Sequence, residues 1–278
     1  PPLFTLVVAE PKLEKGVLKA PTPKGLPTPE QWPDYGPNDK YLSNITDAEV
    51  KDQEEQHLLF SMSQPATNPK QRFFINDKQF DPKCVNVTIP LDTAEQWIVQ
   101  NSSGPQHPFH IHTNPLQIRE LGTVLNGKLT PFVRFDPPVW QDTVYLPAVN
   151  ARWEIVTGPI ANYDEAKTKC PAVCTAANGG VWNDNKNNWG RSISPTKAVC
   201  SCKYTGNGYA LFRSRYEDFT GQFVLHCHFL GHEDRGMMFS VQTVCPDKKP
   251  DQFGKARTDG RPECDGELIQ APPRCEPT

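Results

Sequence analysis

Apolar and polar residues alternate along this chain in short runs, and few stretches sustain a 3.6-residue period. The runs His57–Ser61, Arg72–Ile75, Cys84–Ile89, Glu95–Gln100, Asp142–Leu146, Arg152–Thr157, Tyr209–Arg213, Gly221–His228 and Met238–Val244 are rich in strand-forming residues, with turn residues between them. Strands this short, recurring with turn signals, predict an all-β sandwich or barrel. The 29 prolines also disfavour a helix-rich chain. Residues 1–10 contain an isolated strand signal at 3–9 and predict the terminal strand of a preceding domain. Residues 11–54, rich in Pro, Lys, Gly and Asp, predict a linker leading into a domain over 55–245. Inside that domain, residues 161–205 break the pattern with Asn, Gly, Lys and four cysteines, which predicts a stapled surface insertion. Residues 246–278 form a polar, Pro-rich tail, and Cys264 and Cys275 are expected to pin it to the domain.

Composition narrows the function classes. A net charge of −3 leaves no basic footprint for nucleic acid. Mean hydropathy is −0.59 and no apolar run approaches the length of a membrane-spanning helix. Nine cysteines include Cys227, which sits among histidines; the other eight can pair. Cys170-X3-Cys174 and Cys200-X-Cys202 suit zinc or disulfides, and the disulfide reading is favoured without its connectivity being readable. Sequons at Asn44, Asn86 and Asn101 permit N-glycosylation. Together these features predict a secreted protein from an oxidising compartment.

The chemistry concentrates in two runs, His107-Pro108-Phe109-His110-Ile111-His112 and His226-Cys227-His228-Phe229-Leu230-Gly231-His232-Glu233-Asp234-Arg235-Gly236-Met237-Met238, which hold six of the seven histidines. In a strand, residues i and i+2 share a face. His226 and His228 then point one way and Cys227 the other, while His110 and His112 share a face. If the two strands are neighbours, four imidazoles converge on one side and Cys227 meets His107 and His232 on the other. A thiolate, two imidazoles and a weak axial thioether, here Met237, form the ligand set of a blue-copper site. Zinc is less suited, because Met237 is a poor zinc ligand. Gly236 would help the loop turn. His57, after a Gln-Glu-Glu-Gln run, reads as a surface residue, and Glu233 and Asp234 read as solvated loop charges or an acidic attractor for cationic donors.

These two runs resemble the C-terminal cupredoxin domain of the multicopper oxidases, the family of laccases, bilirubin oxidase and ascorbate oxidase. The resemblance covers roughly residues 55–245 and includes Trp140-Gln141-Asp142-Thr143-Val144 between the copper motifs. It implies a Greek-key, cupredoxin-like β-sandwich. It also implies type 1 copper on His107, Cys227, His232 and axial Met237, type 2 copper on His110, and the type 3 pair on His112, His226 and His228. An axial Met implies a lower type 1 potential than that of high-potential laccases, hence easily oxidised donors. Members of the family carry four His-X-His motifs and this chain has two, so an N-terminal segment or chain is expected to supply the rest of the trinuclear cluster. Where some relatives carry a glutamate thought to deliver protons, this chain has Gly231, which places that role elsewhere.

The leading expectation is a copper-dependent oxidoreductase of laccase type, acting on phenols or related small reducing substrates with dioxygen as acceptor. A single-copper electron carrier needs only His107, Cys227, His232 and Met237 and leaves the other four histidines without a purpose. An oxidase of ferrous or cuprous ions, docking on Glu233 and Asp234, is the third reading.

Overall fold

The computed structural model describes residues 42–63, 72–177, 179–217, 220–245 and 273–275, together with the backbone of four short strands at 13–14, 17–18, 252–256 and 262–270. The chain divides into two units, Pro1–Ser43 and Asn44–Thr278. In the first, strands β1 (Leu13–Glu14) and β2 (Val17–Leu18) pair antiparallel. The strand expected at residues 3–9 lies outside the described residues, as does most of the expected linker.

The second unit opens on a one-turn helix, α1 (Asp47–Val50), capped reciprocally by Thr46 and Glu49. There follow β3 (Gln56–Ser63), β4 (Arg72–Ile75), β5 (Val87–Pro90), β6 (Thr93–Asn101), β7 (His107–Ile111), β8 (Leu116–Leu125), β9 (Lys128–Gln141), β10 (Thr143–Leu146) and β11 (Arg152–Thr157). The helix α2 (Tyr163–Ala176) and strands β12 (Val181–Trp182), β13 (Gly190–Ser194) and β14 (Lys197–Lys203) come next. The unit continues with β15 (Gly208–Tyr216), β16 (Gly221–Cys227), α3 (Leu230–Glu233), β17 (Met238–Val244), β18 (Gln252–Ala256) and β19 (Pro262–Gln270).

Two sheets carry the fold. One runs β10-β7-β16-β17-β5 and the other β4-β3-β6-β15-β8-β9. Both contain one parallel pair, β17 with β5 and β3 with β6, among antiparallel neighbours. Inward residues of both sheets, among them Phe60, Trp97 and Phe212 from one and Phe109, Leu225 and Val241 from the other, form one buried cluster. This is the expected cupredoxin-like β-sandwich. Every strand expected between 55 and 245 is present apart from shifts at the ends. The expected strand Cys84–Ile89 starts later, at Val87.

The long hairpin β8–β9 was not expected from the sequence. It closes on Asn126-Gly127, both at positive φ (51° and 75°), the turn conformation that matches strand twist. The segment expected as an insertion contributes to a small core of Ile160, Ala166, Trp189, Ala198, Tyr204 and four cysteines. Cys170 pairs with Cys200 and Cys174 with Cys202, so disulfides and not zinc staple it. At the tail, Cys275 pairs with Cys84, and Cys245 is also disulfide-bonded. The side chain of Cys264 lies outside the described residues.

Candidate metal centre

The register of β16 on β7 sets the geometry of both histidine runs. Leu225 faces Ile111, His226 faces His110 and Cys227 faces Phe109 across the ladder. Phe109, Ile111 and Leu225 belong to the sandwich core. Strand alternation therefore turns Cys227 and His107 inward and sends His110, His112 and His226 to the opposite face.

On the inner side three donor atoms form a tight triangle. His107 Nδ1 lies 3.3 Å from Cys227 Sγ, His232 Nδ1 lies 3.5 Å from the same sulfur, and the two nitrogens are 3.1 Å apart. His107 and Cys227 are fully buried. Burial, helped by the His232 imidazole, pulls the His107 pKa down to about 4, and burial pushes the Cys227 thiol up to about 11. His232 is likewise held below its usual range by burial and by Arg235. Lone pairs of two neutral imidazoles and a buried sulfur facing one another are poorly satisfied by a single proton. They suit a cation that prefers nitrogen and soft sulfur.

The loop after Cys227 builds the rest of this wall. Cys227 N–H donates to Met237 O at 3.1 Å, and Met237 N–H donates to His232 O at 3.1 Å, which folds the buried Met237 back beside the triangle. Gly236 turns the loop at φ +99°, where a Cβ would stand 2.9 Å from Gln79 Cβ. Phe73 stacks on His232 with ring centres 4.1 Å apart, and the Arg235 guanidinium sits 4.7 Å from the Phe73 ring centre.

On the outer face His110, His112 and His226 bring their ligand nitrogens within 4.8 Å of one another. His110 Nδ1–H donates to Asp142 O at 2.7 Å, so the Trp140–Val144 stretch serves to aim this ring. His226 Nδ1 is bracketed by Cys227 O and Glu233 Oε2, each at 3.2 Å, which leaves Nε2 facing His112 Nε2 at 3.2 Å. The His228 ring adjoins this group, 5.4 Å from the ring of His110 and 5.6 Å from that of His226, without entering the tight cluster. Burial and the neighbouring imidazoles hold His112 below its usual range.

Two sequence expectations need correcting. Glu233 is more than a solvated loop charge; its carboxylate touches His226 and its side chain is only 24% exposed. Asn101 cannot accept a glycan in the folded chain, because it is fully buried and its amide is occupied. Asn44 is exposed and Asn86 half-buried. His57 sits at the surface with its Nε2 2.9 Å from the Glu55 carboxylate, as expected of a residue outside the site. Phe73, Asn101 and Ser103 border the inner triangle although nothing in their local sequence marked them as part of the site.

A family model described as multicopper oxidase matches residues 50–158 and 175–246, more than half of the chain. Similar solved structures include a multicopper oxidase from Campylobacter jejuni described as a metallo-oxidase, at 20% identity and a TM-score of 0.42, covering 72% of this chain and 32% of that one. A multi-copper oxidase from Pediococcus acidilactici matches at 19% identity and a TM-score of 0.40, covering 74% of this chain and 29% of that one. The laccase-like oxidase CueO from Ochrobactrum sp. also matches, at 19% identity and a TM-score of 0.40, covering 73% of this chain and 32% of that one. The chain thus spans about a third of the length of these structures. No curated protein matches it by sequence.

Proposed function

The chain belongs to the multicopper oxidase family, and from that premise we propose that it is the C-terminal cupredoxin part of a laccase-like enzyme that oxidises phenolic or similar one-electron donors and reduces dioxygen to water. The observation that carries this reading is the pair of donor groups on opposite faces of one strand, joined through Cys227. His107, Cys227 and His232, together with Met237, would hold a type 1 copper. His110 would hold the type 2 copper, and His112, His226 and His228 would supply their share of the type 3 pair. The remaining imidazoles come from a segment or chain bearing two further His-X-His motifs. Copper bound at these positions supplies one-electron redox chemistry that no side chain here provides.

The protein's own contribution is positional. The backbone of Cys227 runs directly into His226 and His228, a short covalent route between the two groups. The carbonyl of Asp142 fixes the His110 ring, and the Glu233 carboxylate accepts at Oε2 from His226 Nδ1–H. The disulfides Cys170–Cys200, Cys174–Cys202 and Cys84–Cys275 support an oxidising, extracellular setting.

Isolating the intact assembly that contains this chain, counting its copper and measuring oxygen uptake tests the reading. Four coppers per assembly, uptake with a phenolic donor and loss of the intense blue band in Cys227→Ser are expected. One copper without uptake would instead indicate an electron carrier. Turnover of ferrous iron but not of phenols would indicate a metal-ion oxidase.

A further inference from the structure

We propose that Asn101 and Ser103 form a hydrogen-bond relay that locks His107 as the Nε2–H tautomer and so presents a bare Nδ1 to Cys227 and His232; they are positioning residues for the inner centre. The inference rests on the reading of that centre as a metal site, and its logic is a count of protons. Asn101 Nδ2 donates to the carbonyls of Pro105 (2.8 Å) and Pro147 (3.1 Å), which have nothing to give in return. Asn101 Oδ1 receives the Ser103 backbone N–H at 2.8 Å. These contacts fix which end of the amide is oxygen.

Ser103 Oγ then has two short contacts, Asn101 Oδ1 at 2.6 Å and His107 Nε2 at 2.7 Å, and a longer one to Pro105 O at 3.4 Å. A hydroxyl carries one proton. If that proton went to His107 Nε2, the 2.6 Å contact with Asn101 Oδ1 would set two lone pairs against each other. Both short contacts are hydrogen bonds only when Ser103 donates to Asn101 and His107 Nε2–H donates to Ser103. A neutral imidazole with Nε2 protonated has Nδ1 free, and Nδ1 is the atom 3.3 Å from Cys227 Sγ.

The relay is itself braced. Ser102 N–H donates to Phe60 O at 3.0 Å and Val149 N–H donates to Ser103 O at 2.9 Å, tying the loop between β6 and β7 to β3 and to the segment after β10. All three of Asn101, Ser103 and His107 are buried, so water does not substitute readily for a lost partner. The Asn-X-Ser triplet that reads as a glycan acceptor is therefore part of the scaffold of the site.

Two measurements on the full chain test this. Nitrogen-15 NMR of histidine in the metal-free protein should show His107 protonated at Nε2 alone; a protonated Nδ1, or a mixture, overturns the relay whatever the chain does with metal. Cobalt(II) titration, followed by its thiolate charge-transfer band, should show Ser103→Ala binding at the Cys227 site about 10- to 100-fold more weakly than wild type. Ser103→Thr, which keeps the hydroxyl, should recover most of that affinity. Wild-type affinity and an unchanged band in Ser103→Ala, with only a loss of folding stability, would mean that the serine is merely structural. A wild-type chain that shows no thiolate band at all would overturn the metal reading of the centre instead, and the tautomer measurement would then decide the relay alone.

Discussion

Two oxygens fix the tautomer of His226. Its Nδ1 meets two oxygens, Cys227 O and Glu233 Oε2, so the ring nitrogen that points at His112 is the unprotonated one. Glu233→Gln keeps the size and a hydrogen-bonding oxygen but removes the negative charge beside His226. In the proposed assembly this substitution should lower oxygen uptake about 10- to 100-fold while leaving the blue band expected of the inner site in place; equal losses in both would mean that Glu233 only holds the loop. Gly208 offers a second residue-scale test. A Cβ there would come within 1.9 Å of Pro147 O, the carbonyl that Asn101 also binds. Gly208→Ala should cost about 1–3 kcal/mol, read from the urea midpoint, and should also disturb the Cys227 charge-transfer band. The division of His110, His112 and His226 from Cys227 was legible in the sequence because strand parity alone decides it. The contacts of Phe73, Asn101, Ser103 and Glu233 were not, since each depends on partners brought together by the fold.

At the scale of elements, two periodicities meet in the insertion. Cys170 and Cys174 are one helical turn apart on α2, and Cys200 and Cys202 share a face of β14, so each helix cysteine finds one strand cysteine. Those spacings leave open which helix cysteine meets which strand cysteine, and α2 itself was not readable: it carries Pro171, lacks a clear apolar stripe and owes its start to Asn162, whose side chain accepts from Glu165 N–H. The hairpin β8–β9 shows the converse. Its Asn126-Gly127 turn is a strong local signal, yet Pro131, Pro137 and Pro138 hide the second strand from a pattern reading. Replacing all four insertion cysteines by Ala should remove about 2–4 kcal/mol of local stabilisation per bridge. Hydrogen exchange should then rise across 163–203 while the cobalt band at Cys227 stays unchanged, because the small core of the insertion is separate from the cluster that surrounds the thiol. A weakened band would show that the insertion also supports the centre.

For the whole molecule, the alternation that places Trp97 and Val99 in the shared core also carries Glu95 inward, two residues before Trp97 on the same strand. Glu95 is 1% exposed, and among the described residues its Oε2 has no hydrogen-bond partner. Burial raises its pKa from 4.5 to about 8, with Glu54 adding to the rise and a hydrogen bond from Gln56 opposing it. The sign of the effect follows from where the proton sits. Below pH 4.5 the carboxyl is protonated in both folded and unfolded chains and contributes no pH dependence. Between there and about pH 8 the unfolded chain has released the proton while the folded chain keeps it, so stability falls as pH rises, by about 1.4 kcal/mol per unit for this group. Above that range both forms are ionised and the full penalty remains. Glu95→Gln removes the ionisation without changing the shape, so its stability relative to wild type should grow from pH 5 upward and level off near pH 9. Urea unfolding of the full chain across that range measures the difference. A constant difference would mean that water or a cation reaches Glu95 and that this end of the sandwich is wetter than its packing implies.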